Sequence, residues 1–347
     1  MTEQAGSPLV PNAWYVAALS TELGDSPLGR TILNQPVVLF RTPGGGVAAL
    51  EDRCCHRGFP LRHGRLTGQG IACGYHGLQF DETGRCVAVP GQDTVPPGAV
   101  ILSFPVVERH RMIWIWPGDP ALADPAAIPD YPYHDDPDWP FLSQHFEIGC
   151  NYQLLTDNLL DPSHVIYVHV GTIGGHADAR MTIHDSFERS DDSLLLTRWT
   201  LDSQPPPTFQ AAGEFTGRVD RWQQFRFVAP AIILMYSGAV AAGTGAYENG
   251  MRDGEFAIRM LHAMTPESEH RTHYFWTVSN GSKRKDDSMN QRLFNDVWNA
   301  FKQDEFVLEE QYRRLREFPE RAYVDINTDR ARLHSRRVVA RAAERRA

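Results

Sequence analysis

Four side chains near the N-terminus have the types and the spacing of a metal-cluster site. Cys54 and His56 form C-x-H, and after sixteen further residues Cys73 and His76 form C-x-x-H. Two thiolates and two neutral imidazoles match a [2Fe–2S] centre in which two histidines replace two cysteines on one iron. Zinc fits less well, because its common pairs are C-x2–4-C and H-x3–5-H. We therefore expect a one-electron [2Fe–2S] cluster held between two loops.

A second set of potential ligands lies in the motif N-x-x-D-x-x-H-x-x-x-x-H, formed by Asn158, Asp161, His164 and His169. Two histidines and one carboxylate with open positions make the facial triad of non-heme Fe(II) oxygenases. On an ideal helix the two histidines would diverge by roughly 140°. A helix that carries both must break or bulge, and Pro162 already disturbs it. The carboxylate is left open, and the alternative for this segment is a capped helix with two hydrogen-bonded histidines.

The segments around these motifs differ in their secondary-structure patterns. Before residue 117 the chain predicts short strands separated by turns, such as 36–41 and 112–116. Residues 117–140 contain seven prolines, whereas 152–168 and 290–317 have helical periodicity with strand-like runs between them. The sequence thus predicts an α+β chain with three parts: an all-β domain at 1–118, a Pro-rich linker or strap at 119–140, and a domain of antiparallel sheet with long helices at 141–347.

Length and composition agree with a two-domain enzyme. The 347 residues exceed the ~250–300 at which single hydrophobic cores stop growing. A net charge of −9 argues against a nucleic-acid-binding surface. No signal peptide and no run of ~20 apolar residues is visible, so we expect a cytoplasmic protein that does not bind membranes. The odd number of cysteines, five, with three of them between 54 and 73, indicates metal binding rather than disulfides.

These motifs resemble the Rieske non-heme iron oxygenases, most closely those of the vanillate and dicamba O-demethylase type. The segments CCHRG at 54–58 and CGYHGLQF at 73–80 are similar to the two loops of a Rieske domain. One departure is Cys55, where the family usually has proline or another small residue. Further similarity lies in NAWYV at 12–16, GTG at 243–245 and HAMTPE at 262–267. The resemblance covers nearly the whole chain and implies a helix-grip catalytic domain after the Rieske domain.

The resemblance also implies a role for individual residues. His164, His169 and Asp304 correspond to the ligands of the mononuclear Fe(II). Asp161 corresponds to a bridge that carries electrons from His76 of a neighbouring subunit, and the asparagine of the same motif belongs with it to the catalytic residues. Because the cluster of one subunit serves the iron of the next, the resemblance implies a homotrimer closed head to tail.

The reaction implied by the resemblance is a mono-oxygenation driven by O2 and NAD(P)H. No G-x-G-x-x-G after a strand appears in the chain, so the electrons must come from a separate reductase with flavin or ferredoxin. The leading hypothesis is O-demethylation of a methoxylated aromatic acid to a phenol and formaldehyde, a step of aromatic compound catabolism. The alternative is hydroxylation of a ring, methyl or N-methyl carbon of another aromatic or alicyclic substrate.

Residues that would contact the substrate are harder to assign. The resemblance points to His262, for which the alternative is a histidine hydrogen-bonded within the sheet. Trp298 either lines the pocket or packs in the core. An acid group would need a donor, and the candidates are Arg218, Arg226 and Arg259.

Two other classes of protein fit less of the chain. A Rieske electron carrier needs only the first motif and leaves about 200 residues unexplained, more than a typical domain. A zinc-stabilised binding protein would be colourless, whereas a Rieske protein is red-brown. The Arg-rich tail after Thr328 is expected to be a solvated helix face, with a docking patch for an acidic partner as the alternative.

Overall fold

The computed structural model describes residues 8–176, 179–251 and 253–346. The chain divides into two compact units, one made chiefly of residues 9–130 with 265–268 and the other of 131–264 with 269–345. The helices in these described residues lack the combination of length and apolar character that a membrane span requires.

The unit boundary falls within the Pro-rich segment. This segment forms three short 3-10 turns, Pro120–Leu122, Pro125–Ala127 and Pro132–His134. Each begins with proline, whose fixed φ suits the first helical position. The side chains of Asp119 and Asp124 accept a backbone N–H and so cap the first two turns.

In its described part, the first unit consists of short antiparallel strands in three sheets. The strand orders are β1-β10-β9, β2-β3-β4 and β5-β6-β7-β8, with these bounds: β1 Tyr15–Leu19, β2 Leu28–Ile32, β3 Gln35–Arg41, β4 Val47–Glu51, β5 Arg65–Thr67, β6 Gly70–Ala72, β7 Gln79–Phe80, β8 Cys86–Ala88, β9 Val106–Arg109 and β10 Met112–Ile115. Phe40, Leu50 and Phe80 form an apolar core that also contains Cys54 and Cys73. The core therefore reaches the bases of the two motif loops.

The second unit is built on a seven-stranded antiparallel sheet with the order β11-β17-β16-β15-β14-β13-β12. The strands are β11 Phe141–Ile148, β12 Thr182–Arg189, β13 Ser193–Ser203, β14 Val219–Val228, β15 Ile232–Ala241, β16 Phe256–Pro266 and β17 Thr272–Asn280. The helices are α1 Tyr152–Leu159, α2 Val165–Val168, α3 Pro207–Gly213, α4 Ala246–Asn249, α5 Asp287–Glu317 and α6 Arg330–Arg346. An all-β unit followed by an antiparallel sheet with long helices confirms the predicted α+β class.

The longest helix, α5, presents one apolar stripe to the interior. Asp286 caps it by accepting the Met289 N–H at 3.1 Å. Leu293, Val297 and Phe301 are buried at a spacing of four residues, which keeps them on one face. Asp304 follows three residues later on the same face and is also buried. The helix thus carries a carboxylate into an apolar surrounding.

The helix predicted over 152–168 is interrupted. Helix α1 ends at Leu159, ahead of Pro162, and the single turn of α2 follows with His164 at its N-cap and His169 at its C-cap. A π-helical turn, Val170–Gly174, comes directly afterwards. The irregularity therefore lies on both sides of α2, whereas the sequence placed it between the two histidines. His169 nevertheless lies outside the regular helix, at the C-cap of α2, so a regular helix does not fix its direction relative to His164.

Candidate metal centres and substrate cavity

The two cluster loops of the first unit have the same backbone hydrogen bonds. The Cys54 carbonyl accepts from the Gly58 N–H at 2.9 Å, and the Cys73 carbonyl accepts from the Gly77 N–H at 3.0 Å. Both glycines have positive φ, +70° and +76°, a region that a Cβ disfavours. Each loop is therefore a tight turn with a cysteine at its base. Cys55, in the first loop, is an exposed free thiol.

The four predicted cluster ligands are divided between the interior and the surface. Cys54 and Cys73 are each 2% exposed. His56 and His76 are exposed, and their ring centroids are 4.5 Å apart. Burial raises the pKa of the Cys54 thiol to about 11, so this thiol stays protonated unless a metal replaces the proton. Two buried thiols and two surface imidazoles are the set of donors that would hold a Rieske cluster.

Three side chains of the second unit converge on one point. His164 and His169 flank α2, and Asp304 comes from the buried stripe of α5. Oδ1 of Asp304 lies 3.5 Å from Nε2 of His164 and 3.2 Å from Nε2 of His169. One ligand atom from each residue lies within 4.8 Å of the other two. Atoms bound to one metal at ~2.0–2.2 Å are about 3 Å apart, so the three side chains fit a mononuclear metal.

Hydrogen bonds on the far side of each imidazole orient the two rings. Nδ1 of His164 lies 2.6 Å from the carbonyl oxygen of Asp161. Nδ1 of His169 lies 2.8 Å from Oε1 of Gln303. Both partners are acceptors, so each Nδ1–H donates and the lone pair on Nε2 is available to a metal.

The remaining members of the motif also lie at this site. Asn158 donates from Nδ2 to Oδ1 of Asp304 at 3.2 Å and so orients the carboxylate. Oδ1 of Asp161 accepts from the backbone N–H of Ser163 at 3.0 Å and from its hydroxyl at 2.6 Å. These bonds fix the Asp161 side chain beside the first turn of α2.

A cavity opens next to these side chains. Most of its wall is apolar, and the larger contributors are Phe209, Phe225, Met260, Leu293 and Phe301. Polar groups are few and come mainly from Thr208, Gln223, Ser237 and His262. An apolar cavity with a few polar groups is the kind of lining that binds a small aromatic molecule.

His262 is a fully buried polar residue of the cavity wall. Its Nδ1 lies 2.7 Å from the hydroxyl of Tyr274, and its Nε2 has no hydrogen-bond partner in the part of the chain that the structure describes. Burial lowers the pKa of His262 to about 3, so the ring is neutral near pH 7. When Tyr274 donates to Nδ1, Nε2–H becomes a donor for a molecule in the cavity.

Trp298, the other predicted substrate residue, lies in an aromatic cluster. Its ring centroid is 5.0 Å from that of Phe146 and 6.3 Å from that of Trp276. The cavity is lined on the α5 side by residues of the apolar stripe. The structure therefore places Trp298 in the packing between α5 and the sheet.

The three arginines considered as donors to an acid group of the substrate lie elsewhere: one is exposed, and two contact other side chains. Arg226 is exposed on β14. The guanidinium of Arg259 lies over three aromatic rings, with Trp139 at 4.9 Å from its central carbon. Nε of Arg218 lies 2.6 Å from Oδ1 of Asp202. The structure brings none of the three into the wall of the cavity.

A fourth arginine, which sequence reasoning missed, lies near the cavity. Arg221 is 7% exposed and belongs to β14. Alternate residues of a strand share a face, so Arg221 lies in register with Gln223 and Phe225, both of which line the cavity. The signal in the sequence was the position of Arg221 on the strand face that also carries Phe225, an apolar residue of the interior. Arg226, five residues later, lies on the opposite face.

Comparison with known proteins gives the same two parts. Residues 13–105 match the Rieske [2Fe-2S] domain family, and residues 148–345 match the family of the vanillate O-demethylase oxygenase C-terminal domain. The chain is 40% identical over 328 residues to the oxygenase component of dicamba O-demethylase from Stenotrophomonas maltophilia. The matched residues cover 92% of this chain and 91% of that protein.

Other relatives are similar over the same length. Identity is 37% over 335 residues with the vanillate O-demethylase oxygenase subunit of a Pseudomonas strain, covering 95% of this chain and 94% of that one. Identity is 39% over 324 residues with a putative toluene-4-sulfonate monooxygenase iron-sulfur subunit of Comamonas testosteroni, covering 92% and 93%.

Solved structures agree with these relationships. Dicamba monooxygenase bound to 3,6-dichlorosalicylic acid superposes with a TM-score of 0.89 at 34% identity, over 97% of this chain and 98% of that chain. A structure of the same enzyme with non-heme iron and dicamba gives a TM-score of 0.81 at 35% identity and the same coverage. The chain belongs to the Rieske non-heme iron oxygenases, and it is the oxygenase component of a multicomponent mono-oxygenase of the O-demethylase type, with a [2Fe–2S] cluster and a mononuclear iron.

Proposed function

We propose that Cys54, His56, Cys73 and His76 hold the [2Fe–2S] cluster. The support is that two loops with the same turn place two buried thiols below two adjacent surface imidazoles. Imidazole ligands raise the potential of such a cluster, which suits it to accept electrons from a ferredoxin or flavin.

His164, His169 and Asp304 hold the iron in this proposal. The observation that carries it is the approach of their ligand atoms, all within 4.8 Å, at the wall of an apolar cavity. When bound, the iron supplies O2 activation with electrons delivered by the cluster. The chain's own part is to orient ligands and substrate and to exclude water.

The reaction is O-demethylation of a methoxylated aromatic acid. Its stoichiometry is ArOCH3 + O2 + NAD(P)H + H⁺ giving ArOH + HCHO + H2O + NAD(P)⁺. Hydroxylation of the methoxy carbon gives a hemiacetal, which collapses to the phenol and formaldehyde. Relatives named as vanillate and dicamba O-demethylase components support this choice, as does the mostly apolar lining of the cavity.

The residues around the cavity account for positioning. The apolar walls exclude water from the methoxy group. His262 stays neutral and offers Nε2 to a polar substituent of the substrate. Asn158 and Gln303 hold Asp304 and His169 in place.

The electron path requires a neighbouring subunit, and we infer a homotrimer. On the first unit, Tyr75 is 56% exposed and lies against His76, with centroids 3.8 Å apart. On the second unit, Asp161 borders a surface cleft with Tyr323 and Val324, the latter 88% exposed. Exposed aromatic and aliphatic side chains at both ends of the path suit a subunit interface. Sedimentation of the active enzyme as a monomer would contradict the trimer.

The electrons come from a separate NAD(P)H-dependent reductase with flavin or ferredoxin, and the system works in the cytoplasm, where this coenzyme is supplied. The relatives are themselves oxygenase components, which supports a partner of this kind.

A second candidate is hydroxylation of a methyl carbon. It is favoured by the relative named as a toluene-4-sulfonate monooxygenase subunit, whose similarity is as high as that of the demethylases. The same cavity and the same proposed iron ligands serve either reaction, because both begin by oxidising a C–H bond of a methyl group that is attached to the ring directly or through oxygen.

The test is formaldehyde release. Iron-loaded protein, a surrogate NADH-dependent reductase and a panel of methoxylated benzoates, phenols and toluenesulfonates are combined. Formaldehyde matched by a new phenol is the expected result. Substrate-stimulated NADH oxidation that gives a benzylic alcohol without formaldehyde would favour the second candidate. Intact red-brown colour and iron with neither product would refute both.

A further inference from the structure

Within the described part of the chain, Arg221 is a buried cation with no carboxylate as a partner. The recorded polar contact of its guanidinium is a long one, 3.5 Å from Nη1 to the carbonyl oxygen of Gly174. Its Nε is buried, and among the described residues it has no hydrogen-bond partner. Within the same residues no carboxylate forms an ion pair with it. Buried charges in proteins are normally paired, so the Arg221 guanidinium is suited to receive an anionic group of a bound ligand.

The neighbouring arginine does not change this conclusion. Arg198 is held by Asp185 through two hydrogen bonds of 2.8 Å, from Nε and Nη2 to the two carboxylate oxygens. That pair is neutral as a whole and leaves the Arg221 charge uncompensated. Burial, with a further contribution from Arg198, lowers the pKa of Arg221 to about 10, which is still far enough above pH 7 for it to carry its charge.

Arg221 borders a second cavity that lies beside the one at the iron ligands. This second cavity is also bordered by Arg198 and Thr200, and it shares Pro162, Val165 and Gln223 with the first. The guanidinium carbon lies 5.9 Å from the ring centre of Phe209, a wall of the first cavity. Arg221 is therefore close to the wall of the cavity in which the substrate is proposed to bind.

The spacing along β14 suits one aromatic ring. Arg221 and Gln223 are two residues apart on one face, which is about 6.6 Å along a strand. A ring with an acid group at one end and a methoxy or methyl group at the other spans a similar length. The acid end would meet a planar guanidinium, which binds carboxylate and sulfonate oxygens in pairs.

We propose that Arg221 anchors the anionic substituent of the substrate, a carboxylate or a sulfonate, and so selects anionic aromatic substrates over neutral ones. The anchor lies away from the carbon that is oxidised, which turns the opposite end of the ring toward His164, His169 and Asp304. This inference deepens the proposed function and depends on it for the kind of ring that binds.

Equilibrium binding tests the anchor separately from turnover. The oxidised holoenzyme is titrated under anaerobic conditions with 4-methoxybenzoate, 4-methylbenzenesulfonate and the uncharged 4-methoxybenzamide. The variants are Arg221→Met and Arg221→Lys, and the matched control is Arg226→Met, on the exposed side of the same strand. Thermal melting of each protein checks the fold.

Arg221→Met is expected to weaken binding of the two anions by about 10- to 100-fold and to leave the amide unchanged, since a hydrogen bond to a charged group is lost. Arg221→Lys keeps the charge but not the paired donors, so it should fall between wild type and Arg221→Met. The melting temperature should not drop, because the variant removes a buried charge that has no partner. The control should behave as wild type.

Three results would contradict the proposal that Arg221 binds the anionic group. The first is that the wild-type protein binds the amide as tightly as the anions. The second is that Arg221→Met binds the anions as tightly as wild type. The third is that Arg221→Met binds the acid and the amide with equally reduced affinity. The last result would assign Arg221 to packing alone. Formaldehyde assays on the same samples separate the two proposals. If Arg221→Met selectively loses anion binding but the wild-type protein releases no formaldehyde, O-demethylation is refuted and the role of Arg221 in binding the anion stands.

Discussion

Nδ1 of His169 lies 2.8 Å from Oε1 of Gln303, the residue directly before Asp304. One turn of α5 therefore provides both the carboxylate that we propose binds the iron and the acceptor that orients the His169 imidazole. The sequence separation between the two histidines and this turn exceeds 130 residues, so the contact depends on the packing of α5 against α2. Outer partners of this kind fix the tautomer and the angle of a ligand ring.

Replacing Gln303 by leucine should weaken iron binding by about 10- to 100-fold, because the His169 ring loses its acceptor. The measurement is an iron titration against a competing chelator, with the visible absorbance of the cluster as an internal reference. Gln303→Glu keeps an acceptor and should keep most of the affinity. Gln291→Leu changes an exposed glutamine on the same helix and serves as the control. Equal iron affinity in Gln303→Leu and the control would exclude this role.

Asp161→Asn should retain both metal centres and lose coupled turnover. Its carboxylate is fixed by Ser163 at 2.6 Å, next to the backbone carbonyl that orients His164. The amide keeps the size of the side chain but removes the negative charge needed between two imidazoles. Iron content and chemical reduction of the cluster should match wild type, while product formed per NADH should fall at least tenfold. Normal turnover would rule out Asp161 as the bridge. Ser163→Ala, which retains the carboxylate, should be affected less.

The C-terminal helix, for which a solvated face was the first expectation, is packed against the site unit. Ala331, Val338 and Val339 of α6 are buried. Arg336 of the same helix pairs with the buried Asp157 of α1, with Nη2 to Oδ2 at 2.5 Å and Nε to Oδ2 at 3.0 Å. Asp157 directly precedes Asn158, which donates a hydrogen bond to Asp304, so the tail packs next to the proposed iron site.

Arg336→Met should lower the free energy of unfolding of this unit by about 3–5 kcal/mol, because it leaves the Asp157 carboxylate buried without a partner. The double variant Asp157→Leu with Arg336→Met removes both charges and should recover most of that loss. Urea unfolding followed by tryptophan fluorescence measures the difference. A double variant as unstable as the single one would show that the ion pair is not the cause.

The cluster loops could be predicted from the sequence because everything that defines them is local. Each loop contains its cysteine, its histidine and its turn-forming glycine within five residues. Steric preference at Gly58 and Gly77 then fixes the same turn in both loops.

The carboxylate ligand could not be found this way. Asp304 lies far along the chain from His169, and only the resemblance to a family pointed to it. A local signal does exist, because Leu293, Val297 and Phe301 set an apolar stripe into which Asp304 falls. An acidic residue in such a stripe is costly unless it is bound.

Substrate-contacting residues were predicted least well, for a physical reason. A tryptophan or an arginine can pack in a core or line a cavity with similar sequence surroundings, and the distinction depends on tertiary packing. Trp298 and Arg259 both lie in aromatic clusters, whereas Arg221 was distinguished only by its register on β14.

His262 gives a prediction for pH. Its pKa in the folded chain is about 3, below the ordinary 6.5, because the ring is fully buried. The unfolded chain binds the proton more readily, so the contribution of this group to stability is complete above pH 6.5 and is lost as the pH falls toward 3.

Each pH unit in that interval costs up to ~1.4 kcal/mol from His262 alone. His262→Gln cannot titrate, so its free energy of unfolding should fall less steeply than that of wild type between pH 6.5 and pH 4.5. Urea unfolding at several pH values in this range measures the two slopes. Tyr274→Phe removes the hydroxyl partner but leaves the ring buried, so it should keep the wild-type slope. Identical slopes for wild type and His262→Gln would mean that His262 is protonated within the folded chain, and the neutral donor assigned to the cavity wall would then be wrong.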